Sequence, residues 1–327
     1  MTILIAVYSA GPAWTLPRAC VDDLRRDFPQ HTFLDAWDAE TLRRHLPEAD
    51  IAFAAAIDRS AFAALPRLRW VQSPATGVGG MLGPELVASP IVVTSARGVR
   101  ARAIAEHVLG VTIALARQLP LVLRRQAAHV WALNEIETSG SVRTLLGRRM
   151  AIVGVGAIGI EVARVAAPFG LRVSAIRRRV DLPLPPSVDE ALPPDRLFEL
   201  LARSDVVVLS APLTADTTGL VGRQALEHVK RGALLVNVGR GRLIDDLAVV
   251  EALRDGRLGG AALDVFTKEP LDAASPYWDL PNVIVTPHIA GAMEDYWTPL
   301  VALFSDNLRR FEAGRPLVNV VDKHVGY

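Results

Sequence analysis

The chain has 327 residues, more than one ordinary core holds, and half of it is apolar while 22% is charged, the balance of a soluble globular protein of two domains. A net charge of +1 lacks the electrostatic footprint of a nucleic-acid binder, so no nucleic-acid partner is expected. A single cysteine, Cys20, cannot close an internal disulfide and calls for no oxidising compartment. The opening MTILIAVYSAG resembles the apolar part of a signal peptide, but no basic residue precedes it and it continues into an alternating pattern. It is therefore read as a first strand, and the chain as cytoplasmic.

β-rich runs at 3–7, 32–34, 51–57, 70–72 and 91–94 alternate with helical patterns at 21–28, 42–46 and 60–68. Such alternation predicts a parallel sheet covered by helices. Next, Ile104, Val108, Val111 and Leu115 recur four, three and four residues apart, one apolar stripe of a longer helix that Pro120 interrupts or ends. The stripe must pack on something, which makes this helix a domain spine or part of a subunit interface. The least polar stretch, 103–123, contains Glu106, His107 and Arg117, so no membrane-spanning segment is expected. A second series follows, with strands predicted at 151–155, 172–176, 206–209, 233–238, 261–265 and 283–286, enough for a complete doubly wound domain. The proline-rich run 182–194 is read as a surface loop within it.

The first strand of this second series leads into Gly154-x-Gly156-x-x-Gly159, with Ala157 and Ile158 between, and then into a helical pattern with Val162, Val165 and Ala166. In that context the first glycine makes a tight turn, the second admits a pyrophosphate to the backbone, and the third lets helix and strand pack closely, with the helix N-terminus facing the anion. An NAD enzyme places an acidic residue for the ribose 2′-hydroxyl at the end of the next strand. Here that position holds Arg177, followed by Arg178 and Arg179. All but three of the 36 cationic residues are arginine, so a lone arginine says little and the run also reads as solvated surface. Three in succession at a position fixed in advance say more. Guanidinium groups match a 2′-phosphate, which points to NADP(H), with NAD as the weaker cofactor.

Ligands of open α/β sheets bind at the C-terminal ends of the strands. There the later strands carry Arg240 in VNVGRG, Asp264 and Glu269 in LDVFTKEP, and His288 in VIVTPHIAG. Reducing a 2-oxo acid needs a cation for carboxylate and ketone oxygen, a proton donor, a group that holds the donor, and a hydride source. Arg240, His288, Glu269 and NADPH fill these roles in that order. A carboxylate beside an imidazole favours its charged form, so Glu269 is expected to keep His288 protonated near neutral pH. Each residue also has a plain structural reading: a helix-capping arginine, a solvated turn glutamate, a packed histidine. The other six histidines are read as structural, and no metal ligands are assigned.

The segments 154–159, PLTADTTGLVG from Pro212, VNVGRGRLIDD from Val236, ALDVFTKEPL from Ala262 and NVIVTPHIAG from Asn282 together resemble the D-isomer-specific 2-hydroxyacid dehydrogenase family, most closely its glyoxylate/hydroxypyruvate reductase-like members. Matching motifs run from about Thr76 to Tyr327. The resemblance implies that Arg240, Glu269 and His288 are catalytic and that the product is a D-2-hydroxy acid. It implies that Thr76, Ala211, Thr217, Val238, Asp264 and Gly291 help hold the cofactor, and that backbone amides of Gly77, Val78 and Gly79 grip the substrate carboxylate. Many relatives have Asp where this chain has Gly79. The implied fold is two doubly wound parallel-sheet domains: a Rossmann NADP-binding domain, residues 99–292, inserted in a flavodoxin-like substrate domain, residues 1–98 and 293–327. It also implies a homodimer, with the 104–115 helix in its interface. A competing reading is a corepressor-like protein that senses dinucleotides without turnover; the neutral charge balance argues against it. Tyr296 and Trp297 either shape the substrate pocket or pack, and the second is the commoner role of aromatics at a helix start.

Overall fold

The computed structural model describes residues 1–9 and 14–326; Tyr327, the end of the matching motifs, lies outside them. The chain forms two compact units, Met1–Val99 with Met293–Tyr327, and Arg100–Ala292.

The first unit is built on strands β1 (Thr2–Ala6), β2 (Thr32–Asp35), β3 (Ile51–Ala54), β4 (Trp70–Gln72) and β5 (Val92–Thr94). They pair in parallel in the order β2-β1-β3-β4-β5, the flavodoxin-like order. Side chains of a strand alternate between faces, and β1 is buried on both. Ile3 and Ile5 enter a cluster with Leu300, Phe304 and Leu308 of the helix Trp297–Glu312, while Leu4 and Ala6 enter another with Leu42, Phe62 and Leu86. That two-sided burial explains why β1 reads as a continuous apolar run rather than an alternating one.

The second unit contains β6 (Arg149–Val153), β7 (Arg172–Ile176), β8 (Glu190–Leu192), β9 (Val206–Leu209), β10 (Ala233–Asn237), β11 (Leu258–Leu263) and β12 (Val283–Val285). All pair in parallel in the order β12-β11-β10-β9-β6-β7-β8. Counted from β6, this is the Rossmann order with one further strand at the edge. The chain reverses its direction of growth between β6 and β9, where such sheets bind their ligands.

Three expectations need correction. The run read as the loop 182–194 contains β8, which pairs Glu190 to Leu192 with Ser174 to Ile176 of β7. Only three residues long and half-buried, β8 has too little apolar pattern to stand out among prolines. The helical pattern at 60–68 forms only the 3₁₀ turn Arg59–Ala64. Pro120 lies in the first turn of a separate helix, Leu119–Ala127, where its missing N–H costs nothing. The break precedes it, at Gln118, whose φ is 57°, and the axes of this helix and of Ala101–Ala116 differ by 69°. The apolar stripe of Ala101–Ala116 is taken up inside the unit: Val108, Val111 and Leu115 pack with Val162 and Ala163 of the helix Ala157–Ala166 and with Val236 of β10. Among the described residues no single helix is long and apolar enough to cross a membrane.

Candidate active site

At the C-terminal end of β6 the three glycines meet three different constraints. Gly154 has a φ of +99°, and a Cβ there would come within 2.6 Å of the Ala211 Cα. A Cβ on Gly159 would lie 2.4 Å from the Gly154 carbonyl oxygen and 3.1 Å from Ile152 Cγ2. Gly156 has nothing within 4 Å of such an atom; it is the extended N-cap of the helix Ala157–Ala166. The space before it is open, and the first N–H groups of the helix, those of Ala157, Ile158 and Gly159, have no partners within the helix. The turn is fixed from the neighbouring strand, because the Ser210 hydroxyl donates to the Gly154 carbonyl at 2.8 Å. This cradle, tight at its two ends and open at its middle, fits the pyrophosphate of a dinucleotide.

Beyond the ends of β10, β11 and β12 stand the three titratable groups. His288 Nδ1 lies 2.8 Å from Glu269 Oε2, and the other carboxylate oxygen accepts the Phe266 N–H at 2.9 Å. Burial pushes the Glu269 carboxyl upward, but the bonds from His288 and the Phe266 N–H and the charges of His288 and Arg240 outweigh it and hold the group below its ordinary value. An ionised carboxylate only accepts, so Nδ1 of His288 carries the hydrogen of that bond and Nε2 is left for other chemistry. Arg240 is exposed, with Nη1 donating to the Gly239 carbonyl at 2.7 Å. Its loop is shaped by the buried Asn237, which accepts from the Gly239 N–H at 3.1 Å and donates to the Arg240 carbonyl at 3.0 Å.

His288 has a φ of 56°, a left-handed conformation uncommon for a residue with a Cβ. Asp264 holds it there. The Asp264 carbonyl accepts the His288 N–H at 2.9 Å, and its buried carboxylate accepts from the N–H groups of Ile289 and Ala290 at 2.9 and 3.0 Å and from the Thr286 hydroxyl at 2.6 Å. Behind Thr286 stands His107, with Nε2 at 3.5 Å from the hydroxyl oxygen; burial depresses its pKa against the opposing charge of Asp264. Asn237 and Thr286 were not singled out from sequence, since Asn237 acts on backbone groups of its own loop and Thr286 on a carboxylate twenty-two residues away, and neither contact leaves a motif.

The remaining expected residues are placed as follows. Ala211 and Val238 are buried at the ends of β9 and β10. Gly291 lies against Arg100, whose Cδ would be 2.9 Å from a Cβ there. The Thr217 hydroxyl is taken up within its own turn, donating to the Pro212 carbonyl at 2.7 Å and accepting from the Thr214 N–H at 2.7 Å. Arg177 follows β7, yet its guanidinium is turned onto its own loop, donating to the carbonyls of Val180, Leu182 and Pro183. Arg178 and Arg179 are exposed. In the first unit, Thr76, Gly77 and Gly79 are exposed while Val78 is buried. Tyr296 is buried, stacks edge-on with Trp297 at 5.3 Å and donates its hydroxyl to the Pro74 carbonyl, which is the packing role.

A Rossmann sheet with this cradle and a histidine–carboxylate pair at the same strand ends defines an oxidoreductase that uses a nicotinamide dinucleotide. The family model described as "D-isomer specific 2-hydroxyacid dehydrogenase, NAD binding domain" matches residues 109–290. The chain is 32% identical over 322 residues to a glyoxylate/hydroxypyruvate reductase B of Pectobacterium carotovorum, covering 96% of this chain and 99% of that one. Its structure is similar to that of a D-isomer specific 2-hydroxyacid dehydrogenase from Xanthobacter autotrophicus in complex with NADPH and MES, with a TM-score of 0.84, 29% identity, and coverage of 100% of this chain and 99% of the other. An NADPH-dependent glyoxylate/hydroxypyruvate reductase from Sinorhizobium meliloti, in complex with NADP and sulfate, gives a TM-score of 0.82 at 27% identity, with the same two coverages. The chain belongs to the D-isomer-specific 2-hydroxyacid dehydrogenase family.

Proposed function

We propose that this protein reduces a small 2-oxo acid of the glyoxylate or hydroxypyruvate kind to the D-2-hydroxy acid, with NADPH as the preferred cofactor. The observation that carries the proposal is the 2.8 Å bond between His288 Nδ1 and Glu269 Oε2, which leaves Nε2 as the donor. In the protonated imidazole, Nε2 gives its proton to the C2 oxygen as that oxygen gains charge, and Nδ1 keeps its bond to the carboxylate throughout. Arg240 receives the substrate carboxylate and the ketone oxygen in one planar fork, and the amides of Gly77, Val78 and Gly79 receive the carboxylate as well. A nicotinamide bound at these strand ends would supply the hydride that forms the C–H bond at C2, and the proton from His288 Nε2 completes the hydroxyl on the oxygen that takes up the carbonyl electron pair. Gly154, Gly156, Ala157, Ile158 and Gly159 would hold the pyrophosphate. Thr76, Ala211, Thr217, Val238, Asp264 and Gly291 would complete the cofactor site, with Asp264 near the carboxamide.

Arg177 and Arg178 support the preference for NADPH. Because the Arg177 guanidinium already serves three carbonyls, the 2′-phosphate contact is shared with Arg178. The unit Arg100–Ala292 is then the coenzyme domain and the other unit the substrate domain, in a cytoplasmic homodimer. The test is a panel of glyoxylate, hydroxypyruvate, pyruvate and phenylpyruvate, each with NADPH and with NADH. Turnover of at least one small acid with NADPH is expected. Tight NADPH binding with no turnover of any acid overturns the proposal and leaves the dinucleotide-sensing reading.

A further inference from the structure

The loop after β4 contains two adjacent glycines that the backbone does not require. A Cβ on Gly79 or Gly80 would meet nothing within 4 Å, and neither residue has a left-handed φ. Two glycines in succession carry a large conformational freedom, so the loop's shape must come from what holds it. Both ends are tethered in the core of the unit. Val78 and Met81 are buried, and the N–H groups of Met81 and Leu82 donate to the Val78 carbonyl at 2.9 and 3.3 Å. Between these anchors Gly79 and Gly80 lie at the surface, and both of their carbonyls accept from one side chain: Arg59 Nη2 donates to Gly79 at 2.8 Å and Nε to Gly80 at 3.0 Å.

Arg59 is itself well placed. It opens the 3₁₀ turn Arg59–Ala64, whose start is capped by the Asp58 carboxylate accepting from the Ser60 N–H at 2.9 Å and hydroxyl at 2.7 Å, and whose Phe62 is buried. Its stem runs past Gly83, where a Cβ would lie 3.1 Å from Arg59 Cβ and 3.2 Å from Cδ. A carbonyl oxygen turned toward a bound carboxylate would repel it, and the guanidinium fork keeps two of the loop's carbonyls on itself. We propose that Arg59 is a positioning residue, which sets the 76–80 loop in the shape whose amides receive the substrate carboxylate.

The inference rests on the proposed role of that loop in holding substrate, so the two are tested apart. The first measurement is amide exchange of the 75–82 segment in the wild type, with and without NADP⁺ and the panel acid that it reduces fastest. Slower exchange on addition of the acid is expected; no change overturns the loop reading and the inference with it, as does failure to reduce any acid of the panel. The second compares Arg59→Met, which keeps the stem and loses the donors, with Arg59→Lys, which keeps one. Arg59→Met should speed exchange in this segment and raise KM for the acid about ten- to a hundredfold, the scale of lost charge-assisted hydrogen bonds. Its kcat and its affinity for NADPH should change far less, and Arg59→Lys should fall between. An unchanged KM in Arg59→Met, with acid-induced protection present in the wild type, overturns the inference and leaves the loop reading standing.

Discussion

Glycine serves different ends at positions that look alike in sequence. Ala at 154 must adopt a φ of +99° and place its Cβ 2.6 Å from backbone, and Ala at 159 must displace the carbonyl of 154 at 2.4 Å. Each should cost about 1–3 kcal/mol or more, as strained backbone does. Gly79→Ala meets nothing and needs no unusual φ, so it should leave stability equal or raise it by about 0.4–1 kcal/mol through the unfolded chain. Denaturant unfolding of the three variants checks the contrast, and a Gly79→Ala as damaged as the other two would refute it. His288→Gln removes the proposed proton donor and leaves the cradle intact, so the reduction rate should fall about 10²- to 10⁴-fold with NADPH binding nearly unchanged; near-normal turnover would remove His288 from the mechanism. Glu269 bears on stability as well. Its pKa is depressed in the folded state, so its contribution is present above the unfolded value and is lost as pH falls through the folded one. The thermal midpoint of Glu269→Gln should therefore lie below the wild type's at pH 7, with the gap closing below the ordinary carboxylate range. A gap that stays constant down to strong acid would mean that the ionisation of Glu269 contributes nothing to the folded state.

At the scale of elements, legibility followed how far each signal reaches along the chain. The glycine turn, the stripe on Ala101–Ala116 and the strand runs are local patterns of one period each. Arg240, Glu269 and His288 could be placed together from sequence because each follows a strand, and strand ends of a parallel sheet share an edge. The grip of Asp264 on the N–H groups of Ile289 and Ala290 could not, since backbone donors have no letter of their own. Neither could the clamp of Arg59 on two carbonyls twenty residues away. Edge strand β8 was hidden for a third reason: it is short, follows prolines, and is stabilised by its pairing with β7 rather than by its own composition. The loop before β8 is shaped by Arg177. A charge-assisted bond to the 2′-phosphate is worth about 1.5–3 kcal/mol, so NADPH should bind about ten- to a hundredfold more tightly than NADH. Arg177→Asp removes its share of that attraction, adds repulsion, releases the loop and offers an acceptor to a free ribose hydroxyl, so the preference should invert. Titration of both cofactors decides it, and equal binding of the two by the wild type would reduce the arginine run to surface charge.

At the scale of the whole molecule, no local pattern says that the helix Trp297–Glu312 packs on the sheet of β1 to β5 rather than on the sheet it follows. That return of the chain was readable only through the family resemblance. Assembly poses the same problem in sharper form. The apolar face of Ala101–Ala116 with Val108, Val111 and Leu115 is covered within its own unit, where Ile104 is half-buried. The next two helices differ. Leu119, Leu123, Val130, Trp131 and Leu133 are exposed, Trp131 by 89%, and Val122, Val130, Trp131, Leu133 and Ile136 line one groove. Exposed apolar clusters of this kind mark association surfaces. If the protein is the homodimer that we propose, this segment, 119–138, contributes more of the buried contact than the stripe before it. Leu123→Glu and Trp131→Glu alter exposed side chains and should change the stability of the isolated chain by no more than about 0.5 kcal/mol, yet bury an unpaired charge in the dimer. Sedimentation at micromolar concentration should show a dimer for the wild type and a shift to monomer for both variants, with the thermal midpoint measured alongside to exclude unfolding. A wild type that sediments as a monomer would end the homodimer proposal, and variants that remain dimeric would move the interface elsewhere.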